Sequence, residues 1–213
     1  MFAYCNNSPI ILSDESGHIP DPFSPVDIFG CHGRSKPATT QIPESIYTKS
    51  EGYIYVQNHS PCNYTPFGFG TYVKNGCGVI AVYNTMQLLG QKETLAVIDT
   101  EIFIRNGYSL GGLLGVTRGS IRSYFQDQGI SCTGYATYAA LSQNVREGSV
   151  IIVMVLNNAN NIFDGAHYMA AQYINGQYQV YNIHGYALDS VSRDSLLSPY
   201  AGSWFLYGFI VGG

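Results

Sequence analysis

The chain has 213 residues, 46% of them hydrophobic and only 11% charged, with a formal net charge of −4. That length and apolar content suit one domain with a packed core, and the charged share lies well below the usual quarter or so, leaving Asn, Gln, Ser, Thr, Tyr and Gly to carry the surface. The Lys and Arg residues are scattered and no apolar run approaches the roughly 20 residues of a membrane span, so the sequence offers no footprint for nucleic acid, an anionic membrane or a transmembrane helix.

Residues 1–50 read as an irregular arm. "HIPDPFSPVDIFG" and "RSKPATTQIPES" are rich in Pro, Ser and Thr, and proline interrupts helices and removes backbone donors. Ile10, Ile11, Leu12, Phe23 and Phe29 are the side chains expected to pack this arm on the domain at 51–213. An arm of this kind is also a candidate inhibitory segment. The opening stretch "MFAYCNNSPIILSDESGHIP" lacks the basic start and apolar core of a signal peptide, while the low-charge, tyrosine-rich composition leans toward a secreted or extracytoplasmic protein.

The regular pattern starts at residue 53. "YIYVQ" predicts a short strand, followed by a long turn-rich loop, "NHSPCNYTPFGFGTYVKNG". The aromatics of 64–72 either line a substrate groove or pin the loop to the core. Residues 77–90 predict a helix whose apolar residues, Val79, Ile80, Val82, Tyr83, Met86, Leu88 and Leu89, go nearly all round, as in a buried central helix stopped by Gly90. Leu95, Ile98, Ile102 and Phe103 place a second helix in 92–106, "TRGSIRSYFQDQG" a third and "YAALSQNVREG" a short fourth. The period then changes. "SVIIVMVL" is a buried strand, and "NNANNIFDG" is a polar loop or a lid. "AHYMAAQYI" and "QYQVYNI" form a hairpin about Asn175-Gly176, and "SWFLYGFIVGG" is a last strand. Helices first and antiparallel strands later predict an α+β domain.

Five cysteines occur without a CxxC pair, and the adjacent Cys31 and His32 of "GCHG" lack partners at metal spacing, so neither a metal nor an organic cofactor is expected. Cys77 stands apart. It lies between Gly76 and Gly78 at the start of the buried helix, where the helix dipole and unbonded N–H groups favour a thiolate and the glycines let a substrate backbone approach. The alternative is an inert, packed thiol. A cysteine nucleophile needs a base, and His167 is the only histidine inside a clear strand. Ala166 precedes it and is grouped with Gly76 and Gly78 as a substrate-binding position. Across the hairpin, Asn182 and His184 are both within reach of orienting His167. The Cys77 N–H is one oxyanion donor; Gln57, Asn58 and Asn63 are candidates for a second.

The order Gln, then Gly-Cys-Gly opening a helix, then His at a strand start, then Asn at the end of the next strand, resembles the papain-like cysteine peptidases. The closer resemblance is to their bacterial branch related to the bacteriocin leader peptidases. "YIYVQN" and "FGFGTYVKNGCGVIAVYNTMQLLG" look like that branch's "VPYxxQ", "YGxGT" and "GCGPTSLAMVLxYL", and "GAHYMAAQYINGQYQVYNIHG" looks like its "GHFxVLxGYxxGxYxVNDP". Residues 53–185 are covered. The resemblance implies a papain-like α+β fold, with the Cys-bearing helix packed on a C-terminal antiparallel sheet, and a peptide or protein substrate. It also implies Cys77 as nucleophile, His167 as base and acid, Asn182 as orienter and Gln57 in the oxyanion hole. Val79-Ile80 replaces the branch's Pro-Thr or Pro-Ala, and Asn182-Ile183 replaces its Asp-Pro; papain itself uses Asn as orienter. A thiol amidase or acyltransferase, and a non-catalytic binding module on the same scaffold, are the competing expectations.

Overall fold

The computed structural model describes residues 52–55, 57, 66–157, 165–183, 191–193, 195–196 and 204–213. The arm at 1–50 and the loop at 158–164 lie outside them, as do Asn58, Asn63, Cys5, Cys31, Cys62, His18, His32, His59 and His184.

A two-residue ribbon, β1 (Pro66–Phe67) and β2 (Gly70–Thr71), leads into a single turn of helix, α1 (Tyr72–Asn75). The helices α2 (Cys77–Leu88), α3 (Leu95–Ile104) and α4 (Arg118–Asp127) follow. Strand β3 (Cys132–Tyr135) and helix α5 (Tyr138–Asn144) precede β4 (Val150–Leu156), β5 (Ala166–Ile174), β6 (Gln177–Tyr181), β7 (Val191–Arg193) and β8 (Phe205–Val211). The six strands β3–β8 form one antiparallel sheet in the order β3-β8-β4-β5-β6-β7. The chain is therefore α+β, as its pattern predicts.

The helix boundaries have local causes. Thr94, Thr117 and Thr137 each stand just before a helix, and each side-chain oxygen accepts the N–H three residues on, from Val97, Ser120 and Ala140. Thr94 thus starts α3 three residues later than the periodicity of 92–106 suggests. Helices α2, α3 and α4 end alike: Gly90, Asn106 and Gly129 take positive φ, and the next N–H turns back to the carbonyls of Met86, Ile102 and Phe125.

Helix α2 is buried from Cys77 to Met86, which explains its all-round apolar sequence. Its side chains pack with Leu95, Ile98, Ile102, Ile121, Tyr124 and Phe125 of the other helices and with Ile152, Tyr168, Phe209 and Val211 of the sheet. The opposite face of the sheet, with Ile151, Val153, Val155, Met169 and Val180, is covered by Leu141 of α5 and by Leu196. Burial on both faces is why "VIIVMVL" reads as a continuous apolar run rather than an alternation.

One predicted strand differs. Of the described residues 53–55 and 57, Ile54 stands in a single β-bridge and no strand forms. The Ile54 N–H also donates to Asn84 Oδ1 and the Asn84 Nδ2 donates to the Ile54 carbonyl, both at 2.8 Å. A buried side-chain amide on α2 thus holds both backbone groups of Ile54.

Candidate active site

Cys77 is the first residue of α2, and Gly76 caps it with φ −81° and ψ 0°. The first intrahelical bond runs from the Ile80 N–H to the Gly76 carbonyl, so the N–H groups of Cys77, Gly78 and Val79 precede the helical ladder and point out of its positive end. Gly78 is required by packing. A Cβ there would stand 2.8 Å from Val116 Cβ and 3.4 Å from Tyr168 Cδ2. Cys77 itself is 6% exposed and is a thiol, not half of a disulfide.

His167 is also 6% exposed and pairs with Val155 near the start of β5. The hairpin supplies its partner. Asn175 and Gly176 take φ +53° and +77°, as a type I′ turn needs, and the ladder runs from Ile174↔Gln177 to Ala170↔Tyr181. The next residue, Asn182, turns to φ +58° and leaves the strand. Asparagine tolerates this left-handed conformation better than most residues. The turn aims its main-chain carbonyl at His167 Nε2, 2.6 Å away.

This contact fixes chemistry. A carbonyl only accepts, so His167 Nε2 carries the proton, and in the neutral ring the lone pair sits on Nδ1. The contact between Asn182 and His167 is thus made through the Asn182 backbone.

The Asn182 amide does something else. Its Nδ2 donates to Gln57 Oε1 at 3.1 Å, and Gln57 Nε2 donates to the carbonyls of Tyr72 and Val73, each at 2.9 Å. The two carbonyls dictate the orientation of both amides, because Gln57 must present nitrogen to them and so presents oxygen to Asn182. Gln57 and Asn182 are buried at 7% and 2%. Gln57 thus ties the hairpin to α1, which runs directly into Cys77, and both of its amide protons are spent on main-chain carbonyls.

Other expected positions fall as follows. Gly76 and Gly78 flank Cys77 in the first turn, and Ala166 is the first residue of β5. Of the loop aromatics, Phe67 and Tyr72 are buried and meet edge to face, with centroids 5.3 Å apart, while Phe69 is exposed. Cys132, the other described thiol, lies on β3; burial pushes its pKa up to about 11, with Arg122 opposing weakly. The sequence reading passed over Tyr168, which lies against Gly78. Its place in the alternation next to His167 was the available signal, because neighbours on a strand face opposite ways and one of them must meet α2.

No protein-family model matches the chain, and no curated protein matches its sequence. Among solved structures, the peptidase domain of Streptococcus ComA, a bi-functional ABC transporter involved in a quorum-sensing pathway, is similar to this chain. The likeness has 12% sequence identity and a TM-score of 0.43, over 64% of this chain and 90% of that one. It assigns no residue a role. No helix among the described residues is long and apolar enough to cross a membrane.

Proposed function

We propose that this chain is a papain-like cysteine peptidase that cleaves peptide bonds through an acyl-enzyme on Cys77. The observation that carries this reading is the hydrogen bond from His167 Nε2 to the Asn182 carbonyl. It sets the imidazole tautomer that leaves Nδ1 as the base, on a strand whose next residue packs against Gly78 beside the nucleophile. In the proposed reaction His167 takes the Cys77 thiol proton, and the sulfur attacks the scissile carbonyl. The N–H groups at the start of α2 bind the oxyanion. His167 then returns the proton to the leaving amine, and water, deprotonated by the same base, releases the acyl group. The residues involved need no metal or organic cofactor.

A non-catalytic peptide-binding module is the second reading. The observation favouring it is Gln57, whose amide protons are bound to Tyr72 and Val73 rather than presented to a substrate.

Alkylation of the native protein at mildly acidic pH, with peptide mapping, tests the choice. Cys132 stays protonated and slow there, so modification of Cys77 ahead of it identifies an activated thiolate. The peptidase reading expects His167→Ala to suppress that modification and Cys77→Ala to abolish turnover of a mixed peptide library. A Cys77 as inert as Cys132 in the native protein, with both reactive after unfolding, hands the lead to the binding module.

A further inference from the structure

Arginine is scarce in this chain, and Arg105, Arg118, Arg122 and Arg146 fall into two kinds. Arg105 is bonded to Glu101 and Asp127, and Arg146 donates to the carbonyls of Gln143 and Val145. Arg118 and Arg122 are different. They lie one turn apart on α4, exposed, and their guanidinium groups rest on the aromatic row of β8. Arg118 Cζ stands 4.7 Å from the Tyr207 ring centroid, and Arg122 Cζ stands 5.9 Å from that of Phe209. Arg122 Nη2 also donates to Tyr207 Oη at 3.1 Å. Among the described residues neither forms an ion pair with a carboxylate.

Two like charges four residues apart on a helix repel, and among the described residues no carboxylate pairs with either to offset that. Both guanidinium planes are held by ring contacts, which leaves their N–H forks preorganised for a planar anion.

Packed side chains link the pair to the turn that carries Cys77. Met154 pairs with Tyr168 on one side and Tyr207 on the other, so the three form one row across β5, β4 and β8. Tyr168 packs on Gly78, and Val116, two residues before Arg118, packs on Gly78 as well. The Tyr168 hydroxyl feels both ends of the row: burial raises its pKa most, Cys77 adds to the rise and Arg118 opposes it. Tyr168 and Tyr207 therefore stand two strand spacings, about 10 Å, apart, and a substrate laid along this row spans it in about three extended residues.

We propose that Arg118 and Arg122 form a carboxylate-binding subsite of the Cys77 site, which selects peptides carrying an acidic side chain about three residues from the scissile bond. The inference rests on the peptidase reading for its substrate class, and the test separates the two. Labelled peptide libraries that differ only in Glu or Gln at one walked position are cleaved with the wild-type protein and, in parallel, bound to Cys77→Ala. A Glu preference of about tenfold at one position, lost in Arg118→Gln/Arg122→Gln and reduced in Arg118→Lys/Arg122→Lys, is the expected result. Both arginines are exposed, so an unchanged melting temperature serves as the folding control. Cleavage without a Glu preference, or a preference that survives the double Gln variant, overturns the subsite and leaves the peptidase standing. Arginine-dependent Glu binding with no cleavage by the wild type overturns the peptidase and leaves the carboxylate site. An absence of both overturns both.

Discussion

His167 donates its Nε2–H to the main-chain carbonyl of Asn182, while the side chain of the same Asn182 donates to Gln57. One residue therefore performs two separable jobs. Substitutions at Asn182 tell them apart. Asn182→Gly keeps the carbonyl and accepts φ +58° without strain, so acid-pH alkylation of Cys77 should stay near the wild-type rate. Asn182→Ala adds left-handed strain of about 1 kcal/mol and leaves Gln57 Oε1 without its donor. Asn182→Asp puts a carboxylate oxygen against Gln57 Oε1 and should destabilise by about 2 kcal/mol or more in urea unfolding. If Asn182→Gly loses Cys77 reactivity as fully as His167→Ala does, the amide rather than the carbonyl orients the imidazole.

Gln57 separates a structural tie from a catalytic donor. Its three hydrogen bonds, two of them buried, join Asn182 to Tyr72 and Val73. Gln57→Ala should cost about 2–3 kcal/mol, because both main-chain carbonyls and the Asn182 amide lose a partner. Thermal unfolding reads the loss, at roughly 2–4 °C per kcal/mol for a domain of this size. An oxyanion donor predicts the reverse: an unchanged melting temperature and a fall in kcat of about a hundredfold or more.

Gly78 is set by space. Gly78→Ala places its Cβ 2.8 Å from Val116 Cβ, closer than real Cβ atoms approach, and should cost about 1–3 kcal/mol. Val116→Gly, which removes that Cβ, should cost stability alone and restore part of it in the double variant. A double-mutant cycle in urea checks this: costs that simply add would mean Val116 is not the obstacle.

Asp99 gives the fold an acid-range signature. Its carboxyl bonds to the Tyr108 hydroxyl, but desolvation is the larger influence and raises its pKa above 3.8. A group with a raised folded-state pKa binds more protons folded than unfolded, so its contribution is fully present below 3.8 and is lost as pH rises through the folded-state value. Asp99→Asn should remove that loss. Urea unfolding of both proteins across this window should show the wild type falling relative to the variant as pH rises. Parallel curves would exclude Asp99 as the source.

Much of this arrangement was legible in residue order. Cys77 between glycines marked the start of α2, Asn175-Gly176 fixed the hairpin register, and that register brought Asn182 back to His167. The carbonyl contact was not legible. It depends on a single left-handed residue just beyond the ladder, and an Asn at a strand end has several uses. Strand β3 was missed because "CTGY" is four residues long, contains a glycine and is half-exposed, so no alternation marks it. The segment 53–57 misled in the opposite sense. Its composition is strand-like, yet both backbone groups of Ile54 bond to Asn84, a side chain thirty positions away whose sequence context looks helical.

Strand β8, described above only as one member of the sheet, carries a kinetic consequence. It lies between β3 and β4, and its pairing of Val211 with Cys132 closes a span of 79 residues (211 − 132). Pairings that distant form slowly, because loop closure must precede any contact energy. Until β8 inserts, β4 presents a bare edge of Val and Ile, and α2 lacks Phe209 and Val211 beneath it. Slow refolding and aggregation at high protein concentration should therefore depend on the apolar residues of β8, although all of them lie far along the sequence from Cys77 and His167. Shortening or charging this strand should lengthen the refolding phase before it alters any property of the finished site.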